Sequence, residues 1–334
     1  MSRSEAVCVV TWPAFDPGDE EIRSLLEEAG VQVRLRPNVG PRSGEEVVEM
    51  MAGASAGIVS TDPFDRSVLE RLPELRVLAR TGVGLDSIDL DAATELGVVV
   101  TRTVGALEEA VADHALALML AALRRVVEND AVVRRGSWDR AGAFTSAGLH
   151  GASVGVVGLG RIGSAVVRRL EGFECEIVAF DPYVQEASVP LVYLDELLAR
   201  ADVVTLHAPL TPDTRGLIDA GRLASMRPGA VLVNTSRGEL VDEAALVEAL
   251  RSGRLRAAAL DVFVDEPPAT PALLELPNIV LSPHIAGINE VTVREVTRRA
   301  VGSMLDVLAG RPNPGIVNPE ALAHPRHATG TEPG

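Results

Sequence analysis

The sequence predicts an α/β protein with two domains, each built on a parallel sheet. Apolar strand-like segments alternate with helix-like segments along most of the chain, which is typical of parallel sheets covered by helices on both faces. The chain has 334 residues, more than a single hydrophobic core usually serves, and 47% of them are hydrophobic. Two cores are therefore expected.

The first region, up to about residue 104, predicts alternating strands and helices. Strands are expected at residues 7–10, 31–35, 57–60, 76–80 and 98–100. Helices are expected at residues 19–29, 44–51, 64–72 and 90–96. A mostly apolar helix at about 107–127 follows, and it must be buried, either between domains or against another subunit.

The second region predicts a six-stranded parallel sheet, after which the chain returns to the first domain. The strands are expected at residues 153–157, 177–180, 203–207, 230–234, 257–262 and 279–282. A helix at 291–308 leads back to the first domain. We therefore predict one domain from residues 1–104 with 291–322 and another from 105–290, followed by a disordered tail at 323–334.

A glycine-rich turn between a predicted strand and helix indicates a dinucleotide site. Gly158 permits the tight turn, Gly160 admits a pyrophosphate, and Gly163 lets the helix pack close to the sheet. Asp181 ends the next strand, where an acid accepts hydrogen bonds from the adenosine ribose. Its charge would repel a 2′-phosphate, so NAD is predicted over NADP. A ligand-free turn or another nucleotide-binding fold is the alternative at this point.

Composition narrows the class of partner. The net charge of −16 argues against nucleic acid and against an anionic membrane surface. No signal peptide is recognised, and the longest apolar run, residues 115–123, is about half a membrane span. Cys8 and Cys175 are expected to be buried thiols, and no metal-ligand spacing is present. We expect a cytoplasmic protein without a metal.

Three polar side chains follow predicted parallel strands, where open α/β sheets place their ligands. They are Arg237, Glu266 and His284. Imidazole exchanges protons near neutral pH, a carboxylate fixes its tautomer, and a guanidinium holds a substrate carboxylate bidentately. Taken singly, each residue could instead be a capping, surface or core side chain.

Five motifs in order resemble the D-isomer-specific 2-hydroxyacid dehydrogenases, the phosphoglycerate dehydrogenase-like family. They lie at residues 155–163, 207–211, 234–238, 261–267 and 283–287. The resemblance implies a Rossmann NAD-binding domain inserted into a smaller flavodoxin-like α/β substrate domain. It implies reversible hydride transfer between NAD(H) and a D-2-hydroxyacid/2-oxoacid pair. His284 would be the acid/base, Glu266 its partner, and Arg237 the substrate clamp.

The same resemblance implies further contacts. Cofactor contacts would come from Thr103, Arg161, Ile162, His207, Pro209, Thr214, Thr235, Ser236, Asp261 and Gly287. The N–H groups of Val83 and Gly84 would bind the carboxylate of a small anionic substrate, together with Arg237 and His284. An ordinary strand-to-helix turn is the alternative for that loop.

Several positions depart from the family pattern on the substrate side. Residues 60–63 read Ser-Thr-Asp-Pro where phosphoglycerate dehydrogenases often carry Arg-Ser, and Arg102, Asp113 and Asn289 also differ. These changes put 3-phosphoglycerate in doubt. A dehydrogenase of a phosphonate or other small anion, and an NAD-sensing non-catalytic relative, remain alternatives. The apolar helix at 107–127 favours a two-fold homodimer.

Overall fold

Two compact units make up the protein in a computed structural model, which describes residues 6–37, 40–140 and 146–327. The first unit is Met1–Leu107 with Asn289–Gly334, and the second is Glu108–Ile288. Each unit contains one parallel sheet.

The sheet of the first unit has the flavodoxin-like strand order. Its strands are β1 (Ala6–Val10), β2 (Val31–Leu35), β3 (Ala56–Val59), β4 (Val77–Arg80) and β5 (Val99–Arg102). All pair in parallel in the order β2-β1-β3-β4-β5. The order reverses between β1 and β3, and such a switch point is where these sheets bind ligands at their carboxyl ends.

The helices of the first unit begin at short polar side chains. They are α1 (Glu20–Glu28), α2 (Gly44–Met51), α3 (Arg66–Leu69) and α4 (Leu90–Glu95). Asp19, Ser43, Asp65 and Asp89 cap them by accepting a hydrogen bond from a backbone N–H of the first turn. The predicted helix at 64–72 is too long, because Phe64 forms a parallel bridge with Ile88 and Asp65 is the cap.

The sheet of the second unit has the Rossmann arrangement. Its strands are β6 (Ser153–Val157), β7 (Glu176–Phe180), β8 (Val203–Leu206), β9 (Ala230–Asn234), β10 (Leu255–Leu260) and β11 (Ile279–Leu281). The order is β11-β10-β9-β8-β6-β7. Leu191 adds one parallel bridge to Ala179 beyond β7, the place of the third Rossmann strand. The predicted α/β fold class is confirmed, although sequence reasoning missed this bridge.

Helices cover the second sheet. They are α5 (Glu108–Arg124), α6 (Val126–Arg134), α7 (Arg161–Leu170), α8 (Leu194–Arg200), α9 (Ala220–Ser225), α10 (Glu243–Arg251) and α11 (Pro271–Leu274). The prediction of one helix through residue 127 is wrong, because Arg125 adopts a left-handed conformation with φ 53° and separates α5 from α6. The apolar side chains of α5 pack within its own unit, against β-strands and α7.

The last helix, α12 (Glu290–Leu308), packs on the first sheet and shares its core. Beyond it, Asn318 bonds the backbone on both sides of Val99, accepting from the N–H of Val100 at 2.7 Å and donating to the carbonyl of Val98 at 2.9 Å. The prediction of disorder from residue 323 fails for 323–327, which continue in 3-10 turns. His327 Nε2 donates to the Gly97 carbonyl at 2.9 Å. Residues 328–334 of the predicted tail lie outside the described residues.

Candidate active site

Two glycines of the turn after β6 are required by close backbone packing. Gly158 has φ +93°, and a Cβ there would lie 2.8 Å from backbone atoms of His207 and Ala208. A Cβ on Gly163 would lie 1.9 Å from the Gly158 carbonyl oxygen. Any side chain at either position would displace the turn. The predicted reasons for these two glycines therefore match the packing.

Gly160 differs from its neighbours because nothing lies within 4 Å of the position its Cβ would take. Gly160 is the N-cap residue of α7, and it has no side chain that could accept a hydrogen bond from the first turn. The first N–H groups of the helix, which include those of Arg161 and Ile162, therefore receive no side-chain capping bond. Open space beside the positive end of a ten-residue helix suits a pyrophosphate.

Asp181 supports the glycine turn directly. Its Oδ2 accepts a hydrogen bond from the N–H of Leu159 at 2.8 Å, and its Oδ1 accepts from the N–H of Tyr183 at 2.9 Å. Sequence reasoning assigned Asp181 only to the ribose. The carboxylate also ties the end of β7 to the turn after β6, and each oxygen retains a further lone pair for a ligand.

Several predicted cofactor contacts hold their own loops together. The Thr214 hydroxyl donates to the Pro209 carbonyl at 2.7 Å, and the Ser236 hydroxyl donates to the Leu206 carbonyl at 2.9 Å. His207 is buried, its Nε2 lies 2.9 Å from Thr205 Oγ1, and burial lowers its pKa to about 4. The contacts of these residues with a cofactor remain a prediction.

Two features of the second unit are suited to a bound dinucleotide. Thr235 follows β9, and its hydroxyl is buried without a hydrogen-bond partner among the described residues. Buried hydroxyls are nearly always paired, so this one is suited to a ligand. The Thr235 hydroxyl could form a hydrogen bond with a dinucleotide, and the open space beside Gly160 could admit its pyrophosphate.

His284 and Glu266 form the central pair of the site. His284 Nδ1 lies 2.7 Å from Glu266 Oε2, which leaves Nε2 as the ring nitrogen for a substrate. Glu266 Oε1 accepts a hydrogen bond from the N–H of Phe263 at 3.2 Å. Burial raises the pKa of Glu266, but the hydrogen bond and charge of His284, the Phe263 N–H and the charge of Arg237 outweigh it and lower the pKa overall.

Arg237 is held beside this pair by the backbone. Its Nη1 donates to the Ser236 carbonyl at 2.6 Å, and Asn234 Nδ2 donates to the Arg237 carbonyl at 2.7 Å. A Cβ on Gly238 would lie 2.0 Å from the carbonyl carbon of Phe263, so the two loops meet backbone to backbone. Sequence reasoning missed Gly238, although a glycine directly after a charged residue at a strand end was the available signal.

The loop that carries His284 has an unusual conformation. His284 has φ 52°, a left-handed backbone that costs a non-glycine residue free energy. Its N–H donates to the Asp261 carbonyl at 2.8 Å, and the N–H groups of Ile285 and Ala286 donate to the Asp261 carboxylate at 3.0 and 2.8 Å. Asp261 therefore shapes the loop that ends at the predicted contact Gly287.

Three other predicted site residues belong to the first unit and follow β4 and β5. Val83 and Gly84 are half-buried in the loop after β4. The N–H of Thr103 donates to the Gly82 carbonyl at 3.3 Å, so the two loops are joined. The Thr103 hydroxyl is buried and has no hydrogen-bond partner within the described residues. Both loops lie at the carboxyl edge of the first sheet, where ligands bind in this class of fold.

Neither a metal-ligand cluster nor a membrane-spanning helix occurs in the part of the chain that the structure describes. No group of three or more His, Cys, Asp or Glu side chains there could hold a metal ion. Of the helices described, none has both the length and the apolar composition needed to cross a bilayer.

The sequence comparison identifies the family. Residues 116–286 match the model of the D-isomer specific 2-hydroxyacid dehydrogenase, NAD binding domain. The chain therefore belongs to the D-isomer specific 2-hydroxyacid dehydrogenase family. The predicted family is confirmed, and so is the cofactor class, a nicotinamide adenine dinucleotide.

Similar proteins and a similar solved structure match most of the chain. It is 40% identical over 305 residues to D-3-phosphoglycerate dehydrogenase of Mycobacterium leprae, covering 90% of this chain but 58% of that protein. It is 39% identical over 309 residues to glyoxylate reductase of Korarchaeum cryptofilum, covering 90% of this chain and 93% of that protein. The solved structure of the TT0316 protein of Thermus thermophilus is similar with a TM-score of 0.85 and 41% identity, covering 93% and 99% of the two chains. The chain thus spans little more than half the length of the phosphoglycerate dehydrogenase.

Proposed function

We propose that the protein is an NAD-dependent dehydrogenase that interconverts a D-2-hydroxyacid and a 2-oxoacid, with His284 as the acid/base. The observation that carries the proposal is the 2.7 Å contact between His284 Nδ1 and Glu266 Oε2 beside Arg237. Membership of the family supports the reaction class. The second unit would bind the cofactor and carry these three residues, and the first unit would be the substrate domain.

Each of the three residues has a distinct part in the reaction. NADH, when bound, supplies the hydride that reduces the carbonyl carbon. The guanidinium of Arg237 holds the substrate carboxylate, which orients the carbonyl. His284 Nε2 donates a proton to the carbonyl oxygen during reduction and accepts it during oxidation.

Glu266 fixes the orientation and tautomer of His284 in this scheme. Its lowered pKa keeps it a carboxylate over the working range of the enzyme. The carboxylate accepts the Nδ1–H of the imidazole, so Nε2 faces the substrate in either protonation state. It also stabilises the imidazolium that donates the proton in reduction.

The cofactor preference rests on Asp181. Its carboxylate already lies at the end of β7 beside the glycine turn, where it accepts the Leu159 N–H. The ribose hydroxyls of NAD would donate to its remaining lone pairs, whereas the 2′-phosphate of NADP would meet a like charge. We therefore expect NAD to bind more tightly than NADP. Backbone N–H groups of α7 would receive the pyrophosphate.

The substrate we propose is a small unphosphorylated 2-oxoacid. Asp62 follows β3 at the switch point of the first sheet and is buried, with Arg42 Nη1 2.6 Å from its Oδ1 and Thr11 Oγ1 2.5 Å from its Oδ2. A phosphate at this edge would meet the Asp62 carboxylate, and the guanidinium of Arg42 is already paired with that carboxylate. The N–H groups of Val83 and Gly84 would bind the substrate carboxylate.

A substrate screen tests this function. Purified protein is mixed with NADH and, in separate reactions, glyoxylate, hydroxypyruvate, pyruvate and 3-phosphohydroxypyruvate, and cofactor absorbance is followed. We expect oxidation of NADH with one or more unphosphorylated acids and a much slower reaction with the phosphorylated one. His284→Ala should abolish turnover while leaving the Kd for NADH near that of the parent. Failure of every 2-oxoacid would refute the proposed activity.

We also propose a homodimer, with α6 in place of α5 as the contact. The apolar side chains of α5 are buried in its own unit, so the predicted reason for the dimer does not hold. By contrast, no residue of α6 is buried, and Val126, Val127, Val133 and the nearby Trp138 are each more than half exposed. Val127→Asp should shift the mass measured by light scattering from dimer to monomer. A parent protein that is monomeric at all concentrations would contradict the proposal.

A further inference from the structure

A histidine distant in sequence contacts the loop that carries His284. His114 lies in α5, and its Nε2 is 3.0 Å from Ser282 Oγ, two residues before His284. The serine hydroxyl in turn lies 2.6 Å from Asp261 Oδ1. None of the sequence motifs includes His114, and its ring is three-quarters buried.

The direction of these hydrogen bonds follows from the number of protons each group has. Ser282 has one hydroxyl proton, which it donates to the Asp261 carboxylate. The serine oxygen then acts as an acceptor toward His114, so His114 carries its proton on Nε2. The chain of hydrogen bonds therefore runs from His114 through Ser282 to Asp261. His114 Nε2 also lies 3.5 Å from Asp261 Oδ1 directly, a longer contact than either hydrogen bond.

Asp261 is the point at which this chain meets the backbone of the His284 loop. Its side chain is fully buried, and its two carboxylate oxygens accept N–H groups of Ile285 and Ala286. Its main-chain carbonyl accepts the N–H of His284 itself. A small rotation of the Asp261 carboxylate would lengthen its bonds to the N–H groups of Ile285 and Ala286. The left-handed conformation of His284 costs free energy, and the hydrogen bonds to Asp261 stabilise it.

We infer that His114 is a positioning residue for the acid/base, acting through Ser282 and Asp261 on the loop that carries His284. This inference rests on the proposed function, in which His284 Nε2 exchanges a proton with the substrate. His114 itself touches neither His284 nor Glu266 through any hydrogen bond in the described structure. Its effect is on where the imidazole lies, and displacements of that kind slow proton transfer without removing the group.

Two substitutions of His114 distinguish the effect of its hydrogen bond to Ser282 from the effect of its side-chain packing. His114→Gln keeps an N–H donor near the position of Nε2, whereas His114→Leu keeps the bulk and loses the donor. We expect His114→Leu to lower kcat for reduction roughly tenfold to a hundredfold, with little change in the Kd for NADH. His114→Gln should recover most of the lost rate. His150→Ala, which changes an exposed histidine of the same unit, should match the parent.

A double substitution tests whether the residues act in series. Ser282→Ala removes both the acceptor of the His114 proton and the donor to Asp261. Adding His114→Leu to it should therefore cost little more than Ser282→Ala alone. Losses that multiply would show two independent effects and overturn the inference. An unchanged kcat in His114→Leu would overturn it as well, and so would equal losses in the leucine and glutamine variants.

A measurement without turnover separates this inference from the proposed function. Hydrogen exchange of the backbone N–H groups of Ile285 and Ala286 should be faster in His114→Leu than in His114→Gln or the parent. If no 2-oxoacid is reduced by the parent, the proposed function fails, but faster exchange would still support the link from His114 to the loop. Unchanged exchange would refute that link whatever the activity.

Discussion

The Asp181 carboxylate accepts the backbone N–H of Leu159 at 2.8 Å, so the acid expected at the ribose also holds the glycine turn. The two roles are compatible because a carboxylate has four lone pairs and the protein uses one on each oxygen. Substitution of Asp181 therefore affects cofactor choice and turn position together.

Asp181→Ala should weaken NADH binding by roughly tenfold to a hundredfold, the cost of losing hydrogen bonds to a charged acceptor. NADPH should lose less affinity, because the substitution also removes a charge that opposes its phosphate. Fluorescence titration of both cofactors measures the two Kd values. Glu186→Ala, at an exposed acid in the loop after β7, is the control and should change neither. Equal losses for NADH and NADPH would contradict the ribose assignment.

Two glycine variants should distinguish a glycine that the packing of the turn requires from one that leaves space for the cofactor. Gly163→Ala places a Cβ 1.9 Å from the Gly158 oxygen, so the turn must move, at a cost of about 1–3 kcal/mol in the free energy of unfolding. Gly160→Ala meets no protein atom within 4 Å and should unfold like the parent. Both should bind NADH more weakly. Thermal unfolding and cofactor titration give the comparison, and a lowered Tm in Gly160→Ala would be inconsistent with the open space described.

Glu266→Gln should move the pH dependence of reduction. Glutamine accepts the Nδ1–H of His284 but carries no charge, so the imidazolium is less stable and the proton donor is present only at lower pH. The midpoint of the reductive kcat/KM profile should therefore shift to lower pH, and the oxidative profile should shift the same way. Asp265→Asn, at the neighbouring exposed acid, is the control. A midpoint that stays where it is in the parent would remove Glu266 from its assigned role.

Stability should fall at acid pH because of His207. Burial lowers its pKa from 6.5 to about 4, so between these values the unfolded chain binds a proton that the folded chain does not. The free energy of unfolding is therefore unaffected by the titration of His207 above pH 6.5. It decreases as the pH falls toward 4, by up to about 3 kcal/mol. Urea unfolding of the parent and of His207→Gln at several pH values measures this. The same slope in both proteins would assign the effect to other groups.

The residues of the site that sequence reasoning found share one property. Arg237, Glu266 and His284 each follow a strand of the same parallel sheet, and such strand ends meet at one edge. Their proximity therefore follows from the strand pattern alone. The glycines of the turn could be identified because each has a local steric reason.

Other features depend on contacts that the local sequence does not contain. His114 reaches Ser282 across 168 residues, and nothing in the pattern of α5 marks it as other than a polar position on an apolar helix. The bridge at Leu191 is a single residue pair, too short for alternation to reveal. Arg125 breaks the predicted helix without a glycine or proline, the residues that usually indicate such a break.

The discontinuity of the first unit has a consequence for biosynthesis. Val296, Ala300, Val301 and Met304 of α12 fill the core against β1, β3 and β4, yet they are translated almost 200 residues after β5. The intervening unit, Glu108–Ile288, is contiguous and can fold as soon as it leaves the ribosome. Until α12 emerges, one apolar face of the first sheet stays uncovered on the nascent chain. We expect chaperones to engage the growing polypeptide there, because the first unit begins before the second unit and is completed after it.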